Sequence, residues 1–195
     1  MAVKRILRYL VHTPNLGLWY PKSSKFDLLG YLDFDYAGCK VDRKNTSGTC
    51  QFLGRSLVSW SSKKQNCVAL STAKAEYVAA GACCVQLLWM RQTLHDFRCH
   101  FTKILLLCGN ENAIKLANNP VSHSRTKHID IRHHFLRDHE TKWDIKIRHV
   151  STKKQLADIF TKTLYKSRFC ALCSELNILD SHIVVWILAC LCLIN

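Results

Sequence analysis

Residues 26–35, FDLLGYLDFD, constrain the fold of this chain more than any other stretch. Phe26, Leu28, Gly30, Leu32 and Phe34 fall on one side of a two-residue period, and Asp27, Leu29, Tyr31, Asp33 and Asp35 fall on the other. That is the pattern of a half-buried strand that ends in acids. A polar turn follows at residues 42–48 (DRKNTSG). Two shorter strands come next, at 49–53 and 56–61, split by Gly54-Arg55, so that the three form an antiparallel meander. Ser71-Thr72 opens a long helix to about residue 95, on the apolar spacing of Val78, Ala82, Val85 and Trp89. Residues 104–108 form a short buried strand. A helix over 110–117 stops at Asn118-Asn119-Pro120, residues 128–140 are helical, 145–150 extended, and 154–164 a last helix. Ahead of the meander, Val3, Ile6, Leu7 and Leu10 mark a helix over 2–12 that ends at Thr13-Pro14-Asn15, and 17–20 is extended. Strands in a run, then helices alternating with strands, describe an α/β domain with a mixed sheet and helices on its faces.

Charge narrows the partner. Lys and Arg total 28 against 14 acidic residues, a formal net charge of +14. Such a surplus favours a polyanion, nucleic acid first and an anionic membrane surface second. The cations are spread along the chain, as on a charged face of a folded body. Eleven cysteines, an odd number with no export signal ahead of them, read as free thiols in a reducing compartment. Cys170 and Cys173 form a lone C-x-x-C with no second ligand pair, so zinc is not expected. Residues 183–194, IVVWILACLCLI, carry no charge but fall short of the roughly 20 residues that cross a membrane. They are read as a read-through tail.

Three acids fall where this layout brings them together. Asp33 lies near the end of the first strand of the meander, Glu76 in the first turns of the long helix, and Asp158 on the last helix. Clustered carboxylates that hold divalent ions can activate water and offset charge on a leaving oxygen, and magnesium prefers such oxygen ligands. Scattered acids occur in any basic chain, so spacing alone is weak support. The local sequences add the specificity.

Residues 30–38 (GYLDFDYAG) resemble the G-Y-S-D-A-D-W-A-G motif of copia-type retrotransposons. Residues 42–65 resemble that family's D-R-K-S-T-S-G stretch with its following strands. LSTAKAEY at 70–77 resembles S-S-T-E-A-E-Y, HSRTKHIDIRHHFLRD at 123–138 resembles H-S-R-T-K-H-I-D-I-R-Y-H-F-I-R-D, and QLADIFTK at 155–162 is similar to Q-L-A-D-I-F-T-K-P. The resemblance runs from about residue 2 to 180. It implies residues 1–24 as the end of a reverse transcriptase region, 25–180 as a ribonuclease H-like domain, and 181–195 as an unrelated apolar tail. The implied fold is a mixed five-stranded sheet with helices on both faces. The implied activity is hydrolysis of the RNA strand of an RNA/DNA hybrid with two magnesium ions, manganese being the alternative. Asp33, Glu76 and Asp158 are the carboxylates it carries over as catalytic and metal-binding.

The family's fourth carboxylate, the Asp of C-D-N-Q/E-S-A, is absent. Gly109 stands at its position in Cys108-Gly109-Asn110-Glu111-Asn112-Ala113. Lys74 replaces the Glu of an S-x-x-E capping box after Ser71 and opposes the helix dipole. Leu32, Trp143 and Ser151 depart from the usual Ser, Gly and Pro. These departures imply an enzyme impaired in this copy. The rivals are a catalytically silent nucleic-acid-binding remnant and, against the motif order, an integrase-type polynucleotidyl transferase. His123, His128, Arg132, His133 and His134 have no metal role in the resemblance. Lys63 and Lys64 beside Trp60, with Arg125 and Lys127, are the candidate phosphate contacts. The partners implied are an RNA/DNA hybrid and the reverse transcriptase portion of the same polyprotein, with no membrane. The compartment implied is a cytoplasmic retrotransposon particle, or else the nucleus, without secretion.

Overall fold

The alternation over residues 26–35 becomes the second strand of a five-stranded sheet in the computed structural model. It describes residues 2–22, 26–36, 43–65, 71–118, 130–142 and 144–181. Helix α1 (Ala2–His12) leads into β1 (Leu16–Leu18). The meander is β2 (Leu28–Asp35), β3 (Thr46–Leu53) and β4 (Ser56–Lys64), followed by the long helix α2 (Thr72–Asp96). Then come β5 (Ile104–Cys108), α3 (Glu111–Asn118), α4 (Asp130–Thr141), β6 (Ile145–His149), two short 3-10 turns, α5 (Lys166–Glu175) and β7 (Ile178–Asp180).

The sheet order is β4-β3-β2-β5-β6. β2, β3 and β4 pair antiparallel, as tight connections allow, whereas β5 lies parallel to both β2 and β6. Parallel neighbours need crossovers, which α2 and the α3–α4 segment supply. The period of two sorts β2 onto two cores. Leu28 and Leu32 pack with Ile104, Leu106, Ile145 and Ile147 under Ala79, Ala80, Cys83 and Leu87 of α2. Leu29 and Tyr31 point the other way, against Cys50, Phe52, Leu156, Ala157, Leu172 and Leu176. The sheet is therefore mixed, five-stranded and covered on both faces.

Ser71 caps α2 as its position suggests, its hydroxyl accepting from the Lys74 N–H at 3.3 Å. With Lys at 74 the reciprocal half of the capping box is missing.

One expectation needs correction. The segment 154–164 is not an α-helix. It forms 3-10 turns at Thr152–Lys154 and Leu156–Phe160, and the α-helix that does form, α5, begins only at Lys166. The cause is pinning at both ends of the second turn. The Gln155 side chain takes the Ala157 N–H as a cap, while Leu156, Ala157 and Asp158 are pressed into the sheet. A short, tightly wound piece satisfies those anchors where a longer helix would lift off. β1 pairs with β7, Leu16 opposite Asp180 and Leu18 opposite Ile178, a ladder that no local periodicity announces. It ties the segment before residue 25 to the end of the domain that follows. The tail at 183–194, with Arg125, Lys127 and His123 to His134, lies outside the residues whose side chains are described.

Candidate active site

The acids sit at the end of the sheet where β2 and β5, running parallel, both finish. Asp33 is opposite Gly48 of β3, and the next-door pair Leu32 and Cys108 joins β2 to β5. Asp33, Glu76 and Asp158 are 8%, 2% and 3% exposed. Carboxylates so buried need partners, and each has them.

Asp33 projects onto the face covered by the 3-10 turn. Its Oδ2 accepts a short hydrogen bond from the Thr161 hydroxyl and lies 3.3 Å from the Lys162 Nζ. The same ammonium is 2.8 Å from Asp158 Oδ1, and Arg168 of α5 approaches Asp158 Oδ2 at 3.8 Å. Asp33 and Asp158 are thus brought together around one cation. Burial raises the Asp33 carboxyl above its ordinary range, against the pull of Thr161 and Lys162, and the Asp158 charge adds to the rise. Burial works to lower the Lys162 ammonium, but its bond to Asp158 and the two acid charges hold it above its usual value.

Glu76 reaches the same end from α2. Its Oε1 accepts from the Gly109 N–H at 3.0 Å and from the Cys108 thiol at 3.1 Å. Burial raises this carboxyl and the Asp33 charge raises it further, while the Cys108 and Gly109 donors oppose both. The Cys108 thiol is itself pushed far up, first by burial and then by the Glu76 charge beside it. It stays a thiol and a donor.

Gly109 follows β5 directly. A Cβ built there would stand 3.7 Å from Glu76 Oε1 and 3.5 Å from Gln155 Nε2, ordinary contact distances. The position therefore has room for a side chain, beside Glu76 and Gln155, and supplies none.

Lys63 and Lys64 are exposed at the end of the edge strand β4. Lys64 is opposite Thr46, which is opposite Asp35, so this pair lies two strands from Asp33 at the same end of the sheet. Trp60, half exposed, belongs to the same strand. Arg125 and Lys127 fall outside the described residues.

Residues that sequence reasoning did not single out complete the site. Thr161 and Lys162 lie inside the quoted stretch 155–162, but only its acid was taken as functional. Gln155 is in that stretch too, with its Nε2 on the Leu32 carbonyl at 2.9 Å. Arg168 donates to the carbonyls of Lys153, Thr152 and Gln155 at 2.7, 2.9 and 3.2 Å, clamping the turn that carries Asp158. Nothing in the sequence marks it.

A divalent ion suits these side chains in kind. They offer hard carboxylate oxygens, and two of them already converge on a cation. Among the described residues, however, no three His, Cys, Asp or Glu side chains are grouped closely enough to hold an ion as they stand. The Lys162 ammonium bridges two of them, and position 109 gives no side-chain oxygen.

A five-stranded mixed sheet in this order, with acids at the end of its two central parallel strands, defines a ribonuclease H-like domain. The N-terminal RNase H domain of rv2228c from Mycobacterium tuberculosis has this fold. It superposes with a TM-score of 0.51 over 77% of this chain and 99% of that one, at 11% identity. No family profile matches the chain. Individual relatives do. The chain is 39% identical over 178 residues to the retrovirus-related Pol polyprotein from transposon RE1 of Arabidopsis thaliana, covering 91% of this chain and 12% of that protein. It is 38% identical over 175 residues to the Pol polyprotein from transposon TNT 1-94 of Nicotiana tabacum, covering 90% and 13%. The chain's homologues are copia-type retrovirus-related Pol polyproteins, its fold is ribonuclease H-like, and it spans about an eighth of the length of these relatives. Among the described residues no helix is long and apolar enough to cross a membrane.

Proposed function

We propose that this domain acts on RNA/DNA hybrids made during reverse transcription, as the ribonuclease H portion of a Pol polyprotein, and that hydrolysis is impaired in this copy. The observation that carries the impairment is Gly109, which stands 3.7 Å (measured from its built Cβ) from Glu76 Oε1 with no ligand of its own. Asp33, Glu76 and Asp158 would hold the magnesium or manganese ions. Bound there, such ions supply an activated water and neutralise the leaving oxygen. The chain's own residues then have separable tasks. Thr161 and Lys162 orient Asp33, Arg168 and Gln155 fix the turn beneath Asp158, and Cys108 with the Gly109 N–H orients Glu76. Lys63 and Lys64, exposed on the edge strand, would contact the nucleic-acid backbone, and Arg125 and Lys127 are the further candidates that the sequence offers. The reverse transcriptase portion of the same polyprotein is the second partner, within a cytoplasmic particle or in the nucleus.

A second reading, a silent hybrid-binding domain, differs only in how complete the loss is, and Gly109 favours it too. One assay separates them. A labelled RNA/DNA hybrid is incubated with the chain and with Gly109→Asp, in magnesium and in EDTA, and binding is followed across a salt series. The unaltered chain should bind with steep salt dependence and cleave very slowly or not at all. Gly109→Asp should raise cleavage by about a hundredfold or more, the scale on which metal sites respond to a lost oxygen. Fast magnesium-dependent cleavage by the unaltered chain would overturn the impairment. Absence of hybrid binding by both proteins would overturn the function.

A further inference from the structure

Lys162 stands where its ammonium contacts the two acids assigned to ion binding. Its Nζ is 2.8 Å from Asp158 Oδ1 and 3.3 Å from Asp33 Oδ2, and its side chain is 36% exposed, whereas those of Asp158 and Asp33 are 4% and 11% exposed. Two carboxylates this buried and this close repel each other unless a cation lies between them. Arg168, at 3.8 Å from the far oxygen of Asp158, does not reach Asp33 in the same way. Thr161 supplies a hydrogen bond to Asp33 but no charge. Lys162 is therefore the cation that both acids share.

We propose that Lys162 is a built-in counter-ion that holds Asp33 and Asp158 together in the ion-free domain and competes directly with a divalent cation for them. Its stem comes from the 3-10 turn's C-terminal side, four residues after Asp158, so the lysine and one of its acids are carried by the same backbone segment. The partly exposed head can leave toward solvent without disturbing that segment, and a long flexible side chain makes the exchange reversible. The lysine makes the site stable without an ion and lowers its affinity for one. This rests on the assignment of Asp33 and Asp158 as ion-binding acids.

The test is manganese binding, followed by water-proton relaxation, together with melting in EDTA, for the full chain and three variants. Lys162→Gln should melt lower than the unaltered chain in EDTA and bind manganese more tightly, on the order of tenfold, the scale of one partly buried ion pair. Lys162→Arg should resemble the unaltered chain in both. Asp33→Asn should bind manganese more weakly. Manganese affinity in Lys162→Gln that is unchanged or weaker, or binding to neither protein, would overturn the competition. If Asp33→Asn binds as tightly as the unaltered chain, the assignment of the acids fails instead. A measurement on the unaltered chain covers a variant that does not fold. With lysine labelled at 15Nζ, the Lys162 signal should shift under magnesium before those of the other lysines, and an unmoved Lys162 signal would contradict the proposal.

Discussion

Gln155 Nε2 donates to the carbonyl of Leu32 across 2.9 Å, and the Oε1 of the same side chain accepts from the Ala157 N–H at 3.2 Å. Leu32 precedes Asp33 and Ala157 precedes Asp158. One buried amide thus sets the spacing between the backbones that carry two of the acids, which lie far apart in sequence.

Gln155→Leu should therefore cost about 1–3 kcal/mol, because it leaves a buried carbonyl and a buried N–H without partners. Gln155→Glu keeps the acceptor for Ala157 but loses the donor to Leu32, and it adds a charge beside Asp33 and Asp158. It should be no better tolerated. Urea unfolding at neutral pH measures both, and a loss below about 0.5 kcal/mol for Gln155→Leu would show that the turn is held without it.

At Gly48 the turn packs directly against the backbone of β3. A Cβ there would meet Thr161 Cγ2 at 2.5 Å, Phe160 Cβ at 3.0 Å and the Ala157 carbonyl at 3.1 Å. Two of these cannot yield, since one is backbone and the other is a Cβ fixed to it. Thr161 is moreover engaged with Asp33. Gly48→Ala should destabilise the domain by about 1–3 kcal/mol as an overpacked contact. The displacement should also release the Thr161 bond to Asp33. A melting temperature within a degree or so of the parent would mean that the turn shifts freely.

How far these relations could be read from the sequence differs between layers. The alternation in β2, the cap at Ser71 and the short apolar run of β5 are local, and the elements form where that chemistry puts them. The turn carrying Asp158 is different. Its apolar residues fit a helical period, but its shape is decided by what it presses on, Gly48 and the Leu32 carbonyl, both distant in sequence. The β1–β7 ladder and the clamp from Arg168 are likewise tertiary, and a period of two or 3.6 contains no information about them. At the site, the acids were singled out by the resemblance of their local sequences, not by their spacing. Lys162 and Thr161 were not, because a lysine or threonine in a basic chain has a solvated face as its ordinary fate.

Burial raises the carboxyls of both Glu76 and Asp33, and the sign of the consequence is fixed. A raised folded pKa means that the native state holds the proton more tightly than the unfolded chain does. That contribution to stability is fully present below the ordinary values, 4.5 for Glu76 and 3.8 for Asp33, and is lost as pH rises through the folded values. Glu76→Gln keeps an acceptor for the Gly109 N–H and the Cys108 thiol but cannot ionise. Its melting temperature should exceed that of the parent at pH 7, and the gap should close as pH falls below the ordinary glutamate value. A gap that is constant across melts from about pH 4 to 8 would show that ionisation of Glu76 is not what separates the two proteins.

Gly109→Asp isolates the cost of completing the acidic cluster from its chemistry. The Cβ meets nothing closer than 3.5 Å, so packing should not penalise the substitution. Charge should. A new carboxylate beside the buried Glu76 Oε1, with the Asp33 charge already felt by Glu76, adds like-charge repulsion, which solvent screens in part because position 109 is itself exposed. Position 109 also follows a strand, so replacing glycine restricts the unfolded chain and offsets part of that cost. In EDTA, Gly109→Asp should therefore melt below the unaltered chain. Magnesium should reverse the order, because an ion that binds only the folded state stabilises it by an amount that grows with the logarithm of its concentration. The unaltered chain, with one oxygen fewer and Lys162 between two of its acids, should respond to magnesium much less. Parallel melts over a magnesium series check this without any nuclease assay. If Gly109→Asp melts lower in EDTA and magnesium does not recover it, the new carboxylate is not directed at an ion site. If it melts as high as the parent in EDTA, the acids at this end of the sheet do not sense one another.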